Sequence, residues 1–299
     1  MDSPVCPICG GNTSKASLHF PLSYWRCREC RSAHLFPQPT SDQLNKYYDR
    51  FHLPSDQGGL FEEFEGRTAK DFPVKAELVS QYLRSVEKKL MEMLRILDVG
   101  CGKGFFVREL RKYGHEVEGI DLSTSAVLAG RQTFGIEGLR QGGIEDQQDW
   151  VGRFDAVTAW ATIEHLPSPR SLLASIRSVL KPGGFLFIDT GLADDFTERW
   201  VPGLTQWYDP PQHLHVISKT GLEILLTQSG FKIIHFDVGF ERNHVRRLVK
   251  DVRNRLLAII GCALFRTALG KGAYGRMRME TKMPFGSLAL IVARRKDVL

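Results

Sequence analysis

The stretch Arg95-Ile96-Leu97-Asp98-Val99-Gly100-Cys101-Gly102-Lys103-Gly104 constrains this chain more than any other. An apolar, β-prone run ends in an acid and glycines at alternate positions. A helical pattern with Phe105, Phe106, Val107 and Leu110 on its apolar face follows at once. The pattern predicts a buried strand, a tight turn and a helix start. Glycine serves where the backbone must take positive φ or let a ligand come close. In an open α/β sheet, ligands lie beyond the carboxyl ends of the strands, where this turn falls. The spacing is G-x-G-x-G rather than G-x-G-x-x-G, and no G-K-[ST] follows, so neither the dinucleotide fingerprint nor a phosphate loop is met. An acid just before the glycines would repel a pyrophosphate and suits a cationic or amine-bearing ligand. About twenty residues on, Gly119-Ile120-Asp121-Leu122-Ser123 ends a second strand in an acid, a place from which a carboxylate receives the two hydroxyls of a ribose.

A chain of 299 residues holds one large domain, or one domain with appendages. Its charged content of 25% and ordinary apolar content suit a globular protein. Met1-Asp2-Ser3-Pro4 leads into cysteines rather than an apolar core, and no apolar run has the length of a membrane span. A cytoplasmic protein is therefore expected. The net charge of +6 is uneven: residues 241–299 hold fourteen Lys or Arg against four Asp or Glu. The basic excess thus belongs to one C-terminal region.

Cys6-Pro7-Ile8-Cys9 and Cys27-Arg28-Glu29-Cys30 give two C-x2-C pairs separated by seventeen residues. Each pair places two thiolates on one turn, and together they can close a tetrahedral site. Structural zinc on Cys6, Cys9, Cys27 and Cys30 is expected, with iron as the alternative that four thiolates also suit. A segment this short cannot bury a sufficient core, so the metal would supply its folding energy. A zinc ribbon also raises nucleic-acid binding. Residues 1–38 are only modestly basic, however, and Phe20, Tyr24, Trp25 and Phe36 read equally well as packing around the metal. Direct nucleic-acid contact is not expected.

Four motifs carry a family resemblance: Leu97 to Gly104, Gly119 to Ser123, Phe154-Asp155-Ala156-Val157, and Leu180-Lys181-Pro182-Gly183-Gly184. In order and interval the chain resembles the class I S-adenosylmethionine-dependent methyltransferases, including the ubiquinone-biosynthesis-like and the envelope-glycan and natural-product branches. The resemblance implies an α/β fold: a Rossmann-like seven-stranded sheet whose sixth and seventh strands form an antiparallel end, preceded by the small zinc ribbon. Three regions follow: a ribbon at 1–38, a helical lead-in or lid at 39–93, and the methyltransferase domain at 94–299. Strands are expected near 95–99, 116–120, 138–141, 154–159, 184–190, 231–237 and 286–293. Tyr47, Tyr48 and Arg67 could line the lid, or could be ordinary helix packing and surface charge. Cys101 and Cys262 read as small buried fillers.

The resemblance also assigns a cofactor site. Asp98 with Gly100, Gly102 and Gly104 would hold the amino-acid end of S-adenosylmethionine, and Asp121 its ribose. Leu122 would pack on the adenine. Ile144 would offer backbone to the adenine, since Gly143 stands where the family often has an acid. Ala159 and Trp160 would floor the methionine part. The alternative for Asp98 and Asp121 is a turn-capping carboxylate.

Methyl transfer to a hydroxyl requires positioning and a proton acceptor, and histidine is the natural one. His213 is the first choice. It lies in Trp207-Tyr208-Asp209-Pro210-Pro211-Gln212-His213-Leu214-His215-Val216-Ile217-Ser218, a proline- and aromatic-rich loop after strand five. The other reading of His213 is a loop-anchoring residue. His165, in the Glu164-His165 pair after strand four, is the second choice. Relatives carry a metal-binding acid near that pair, but Ala161 takes its place here, so no catalytic metal is expected.

Residues 238–285 form a basic helical insert between strands six and seven. It would pack on the domain, cover a second subunit in a homodimer, or meet an anionic membrane surface with its arginines. The leading expectation is an O-methyltransferase acting on a small molecule, sugar nucleotide or lipid-linked glycan. The alternative is an RNA or protein methyltransferase docking through the ribbon and the insert.

Overall fold

The computed structural model describes residues 3–16, 24–51, 71–86, 93–194, 207–238 and 288–296. The basic insert, Arg67 and Cys262 lie outside the described residues, and with them the expectations about membrane, dimer and surface helix.

The main sheet has seven strands: β4 (Arg95–Val99), β5 (Glu116–Asp121), β6 (Leu139–Gln141), β7 (Phe154–Trp160), β8 (Leu180–Gly191), β10 (Phe231–Val238) and β11 (Leu288–Arg295). Their spatial order is β10-β11-β8-β7-β4-β5-β6. The pairs from β6 across to β8 are parallel. β11 runs antiparallel to both β8 and β10, as expected for the sixth and seventh strands. The order reverses between β4 and β7, which sets the ligand crevice beyond their carboxyl ends.

Successive residues of the central strands enter two separate cores. Leu97, Val157, Leu186, Ile188 and Ile291 join one, and Ile96, Ala156, Phe185, Phe187 and Val292 the other. That period-two division puts a core on each face, which is why these strands read as unbroken apolar runs. Helices follow the strands with side-chain caps where the sequence supplies them. Ser123 Oγ accepts from Ala126 N at the start of α4 (Thr124–Phe134), and Ser168 Oγ accepts from Ser171 N ahead of α5 (Pro169–Val179). Ahead of the first of these, α3 (Phe105–Arg111) begins directly at the glycine turn.

Two expectations are corrected. β8 begins at Leu180, not 184, so Lys181-Pro182-Gly183-Gly184 lies inside the strand as an irregularity between Phe154 and Ala156 of its neighbour. The last strand runs on to Arg295, two residues past its expected end.

The ribbon is not a free appendage. Its strands β1 (Thr13–Lys15), β2 (Tyr24–Cys27) and β3 (Ala33–Leu35) continue into β9 (His215–Val216), a two-residue strand from the loop after β8. Ile8 and the ribbon cysteines share one apolar cluster with Leu222, Leu225 and Leu226 of α6 (Lys219–Gln228). The boundary expected near residue 38 is therefore crossed by a shared sheet and a shared core.

Candidate active site and cysteine cluster

The glycine turn is as the alternate spacing requires. Gly100, Gly102 and Gly104 take φ of +73°, +51° and +77°. A Cβ on Gly100 would stand 2.5 Å from Thr162 Oγ1, and that hydroxyl is bonded to the Val99 and Trp160 carbonyls. The three glycines thus take a conformation that side chains disfavour, and at Gly100 the anchored threonine leaves no room for one.

Asp121 ends β5 with each carboxylate oxygen accepting one backbone amide: Gly102 N to Oδ2 and Ser123 N to Oδ1, both 2.8 Å. It caps the turn, which was the alternative reading, and each oxygen keeps acceptor capacity for a diol. Asp98 is 2% exposed and accepts from Thr158 Oγ1 at 2.6 Å. Burial pushes its carboxyl up to about 7, against the pull of the threonine bond. Leu122 is half exposed beside the turn, and Ile144 opens a short 3-10 turn at residues 144–146. Ala159 is wholly buried and Trp160 nearly so, with its ring edge-on to Phe106. The side chains of these last two residues therefore belong to the core.

The strand-four exit is strained: Ala161 takes φ of +46° and donates its N–H to Asp189 Oδ1 at 2.7 Å. Asp189 also pairs with Lys75 of α2 (Phe72–Val86). Sequence reasoning missed this pair. Nothing local marks two charges on elements so far apart in the chain.

His165 and His213 come together over this exit, with ring centroids 4.8 Å apart. His165 Nδ1 lies 2.7 Å from the Gln212 carbonyl, and His213 Nδ1 lies 2.9 Å from the Trp207 carbonyl. A carbonyl only accepts, so both Nδ1 atoms carry hydrogen and Nε2 holds the lone pair. Burial lowers His165 to about 4 and His213 to about 3, the neighbouring imidazole adding to the latter. Both rings are thus neutral, in the tautomer a proton acceptor needs.

Glu164 lies beneath them. Its carbonyl accepts from Leu214 N and His215 N, which hangs the loop on the strand-four exit. Its Oε2 is buried without a hydrogen-bond partner among the described residues. Burial raises its carboxyl to about 8. One ligand atom each of Glu164, His165 and His213 lie within 4.8 Å of one another, so the set could hold a cation as well as relay a proton.

Helix α1 (Ser41–Phe51) covers both halves of the crevice. Ser123 Oγ bonds Asp49, and Tyr48 Oη donates to the Gln212 carbonyl at 3.3 Å while its ring meets His165 edge-on. Tyr48 is therefore in contact with the histidine loop.

The four ribbon cysteines carry no disulfide. Cys6 Sγ lies 3.7 Å from Cys30 Sγ, and Cys9 Sγ lies 3.4 Å from Cys27 Sγ, all four within 4.8 Å. A tetrahedron with metal–sulfur bonds of about 2.3 Å has edges of about 3.8 Å. The cluster fits zinc, and the sulfur of Cys27 also accepts the Cys30 amide as knuckle turns do.

A seven-stranded sheet with an antiparallel closing pair and an acid–glycine turn at its switch point is the architecture of the methyltransferase class. The chain belongs to the family described as methyltransferase domain, whose model matches residues 60–236. It is 32% identical over 157 residues to the ubiquinone biosynthesis O-methyltransferase of Nitrosococcus oceani, covering 50% of this chain and 61% of that protein. It is 36% identical over 123 residues to the enzyme of that name from Xanthomonas axonopodis pv. citri, covering 40% of this chain and 49% of that one. The chain therefore spans about half to three-fifths of the length of these relatives. Among solved structures, the [4+2]-cyclase SpnF shares the fold, with a TM-score of 0.55 and 19% identity over 88% of this chain and 99% of that one. No helix among the described residues is long and apolar enough to cross a membrane.

Proposed function

We propose that this protein is an S-adenosylmethionine-dependent O-methyltransferase whose acceptor is a hydroxyl of a small molecule, sugar nucleotide or lipid-linked glycan. The cofactor supplies a methyl group already activated on a sulfonium. The observation that carries the reading is the pairing of two features on neighbouring strand ends. One is a left-handed glycine turn backed by Asp121; the other is two imidazoles whose Nδ1 atoms are held by backbone carbonyls.

In this reading the turn at Gly100 and Gly102 admits the amino-acid end of the cofactor, and Asp98 faces its ammonium. Asp121 receives the ribose hydroxyls while still holding Gly102 N. Leu122 and Ile144 border the adenine. His213 Nε2 takes the acceptor's hydroxyl proton, and the Trp207 carbonyl keeps the ring in that tautomer. Glu164, close by, is the group that can balance the resulting imidazolium. His165 orients the loop through Gln212. The four cysteines hold a structural zinc.

The ribbon's packing supports a small acceptor over a docked RNA or protein. Its sheet takes in a strand of the histidine loop, and Tyr24 bonds that loop directly. The test is release of S-adenosylhomocysteine on incubation with S-adenosylmethionine and panels of phenols, sugar nucleotides and lipid-linked sugars. Turnover with RNA or protein and none with these panels would overturn the acceptor class.

A further inference from the structure

We propose that the ribbon is a brace for the active-site loop: Tyr24 is a positioning residue for His213, and metal occupancy of the four cysteines keeps it in place. The inference rests on the reading of His213 and of the zinc site given above.

Tyr24 is the first residue of β2 and is wholly buried. Its hydroxyl donates to the His213 carbonyl at 2.6 Å. Around that bond the ribbon grips the loop repeatedly. Leu35 N donates to the Leu214 carbonyl at 2.8 Å, and β3 pairs with β9 through Ala33–Val216 and His34–His215. An Arg26 guanidinium nitrogen lies 2.9 Å from Tyr208 Oη, and the Tyr24 and Tyr208 rings meet edge-on at 5.0 Å. At the far end of the loop, Ser218 N donates to Ser32 Oγ at 3.0 Å and Ser218 Oγ donates to the Cys30 carbonyl.

These contacts sit on the metal ligands' own strands and turn. Cys27 is the last residue of the strand that Tyr24 begins, and Cys30 itself accepts the bond from Ser218. A ribbon of this size draws its folding energy from its metal. Without metal, β2 and β3 lose their reason to stay paired, and β9 loses its partner. The loop carrying His213 would then keep its bonds to Tyr48, Glu164, His165, Leu166 and Ala193 of the domain. Among the described residues the cofactor turn makes no hydrogen bond to the ribbon, so it should be spared. The device thus couples a structural metal to the proton acceptor without touching cofactor binding.

The experiment uses the full chain, with metal content measured, and reads amide exchange by mass spectrometry alongside ring signals of [15N]histidine-labelled protein. In Tyr24→Phe, which keeps the ring and removes the donor, exchange over 208–216 should rise about tenfold while exchange over 95–121 stays as in the native chain. The His213 ring, held neutral by burial in the native chain, should become protonatable nearer the ordinary histidine value of about 6.5. Removing the metal with a chelator should loosen 208–216 at least as much, with S-adenosylmethionine affinity kept within about threefold by calorimetry. Unchanged exchange and ring titration in Tyr24→Phe would overturn the proposal. So would a loop that stays protected after the metal has left, or loosening shared equally by 95–121. These signals report the loop's order and the ring's surroundings, so they stand apart from whether His213 takes the substrate proton.

Discussion

Lys75 Nζ lies 2.6 Å from Asp189 Oδ2, with the two side chains 14% and 3% exposed. The pair joins α2, the helix before β4, to the end of β8. The same ammonium sits 4.8 Å over the Trp160 ring, and the same carboxylate holds the strained Ala161 amide. Removing one partner of a buried pair leaves the other charge uncompensated, at about 3–5 kcal/mol. Lys75→Met should therefore cost that much in urea unfolding. A loss under about 1 kcal/mol would show that water reaches the pair.

Gly100 and Gly135 separate strain from fit. Both take left-handed φ, but a Cβ on Gly135 meets nothing within 4 Å, whereas one on Gly100 meets the anchored Thr162 hydroxyl. Gly135→Ala should cost only the conformational penalty of about 1–2 kcal/mol and leave cofactor affinity alone. Gly100→Ala should lower that affinity more than tenfold in calorimetry. Equal binding by the two variants would contradict the role given to the turn.

Stability should depend on pH through buried histidines. Burial lowers His34, His165 and His215 to about 4 and His213 to about 3. The folded chain then binds fewer protons than the unfolded chain between about pH 6.5 and 4, so stability is full above that window and is lost as pH falls through it. Asp98 and Glu164 act with the opposite sign. Their raised values, about 7 and about 8, contribute stability at low pH that is lost as pH rises through them. The histidines and the two carboxyls therefore tilt stability in opposite directions as pH changes. Neither ring nitrogen of buried His34 has a hydrogen-bond partner among the described residues, so His34→Leu should flatten the acid limb in urea melts taken from pH 7 to 5. An unchanged slope would mean that His34 is solvated.

How much of this was legible in the sequence varies by element. The seven strands were legible as apolar runs placed in the order of the resembling family, and the antiparallel end came from that resemblance alone. The turn at Gly100 and Gly102 followed from alternate glycines, and the four cysteines from their pairing. β9 could not be read, because two residues have no periodicity and their partner strand lies about 180 positions earlier. The Lys75–Asp189 pair was equally silent, since long-range charge pairing leaves no local mark. The convergence of His165 and His213 was readable only as two candidates. Their shared tautomer depends on the Gln212 and Trp207 carbonyls, which sequence cannot place.

His213→Ala should lower turnover by about 10²–10⁴-fold, the range for a general base, with cofactor affinity unchanged. His165→Ala, which leaves the Gln212 carbonyl only its bond from Tyr48 among those described, should raise the acceptor's KM as well. Turnover of His213→Ala within threefold of the native chain at saturating acceptor would remove His213 from that role.

The most direct measurement is calorimetric titration of S-adenosylmethionine into the native chain and into Asp121→Ala. Uptake of one equivalent by the native chain is expected, with affinity at least tenfold weaker in the variant. No uptake by the native chain, or equal affinity in both, would contradict a cofactor held by the glycine turn and Asp121.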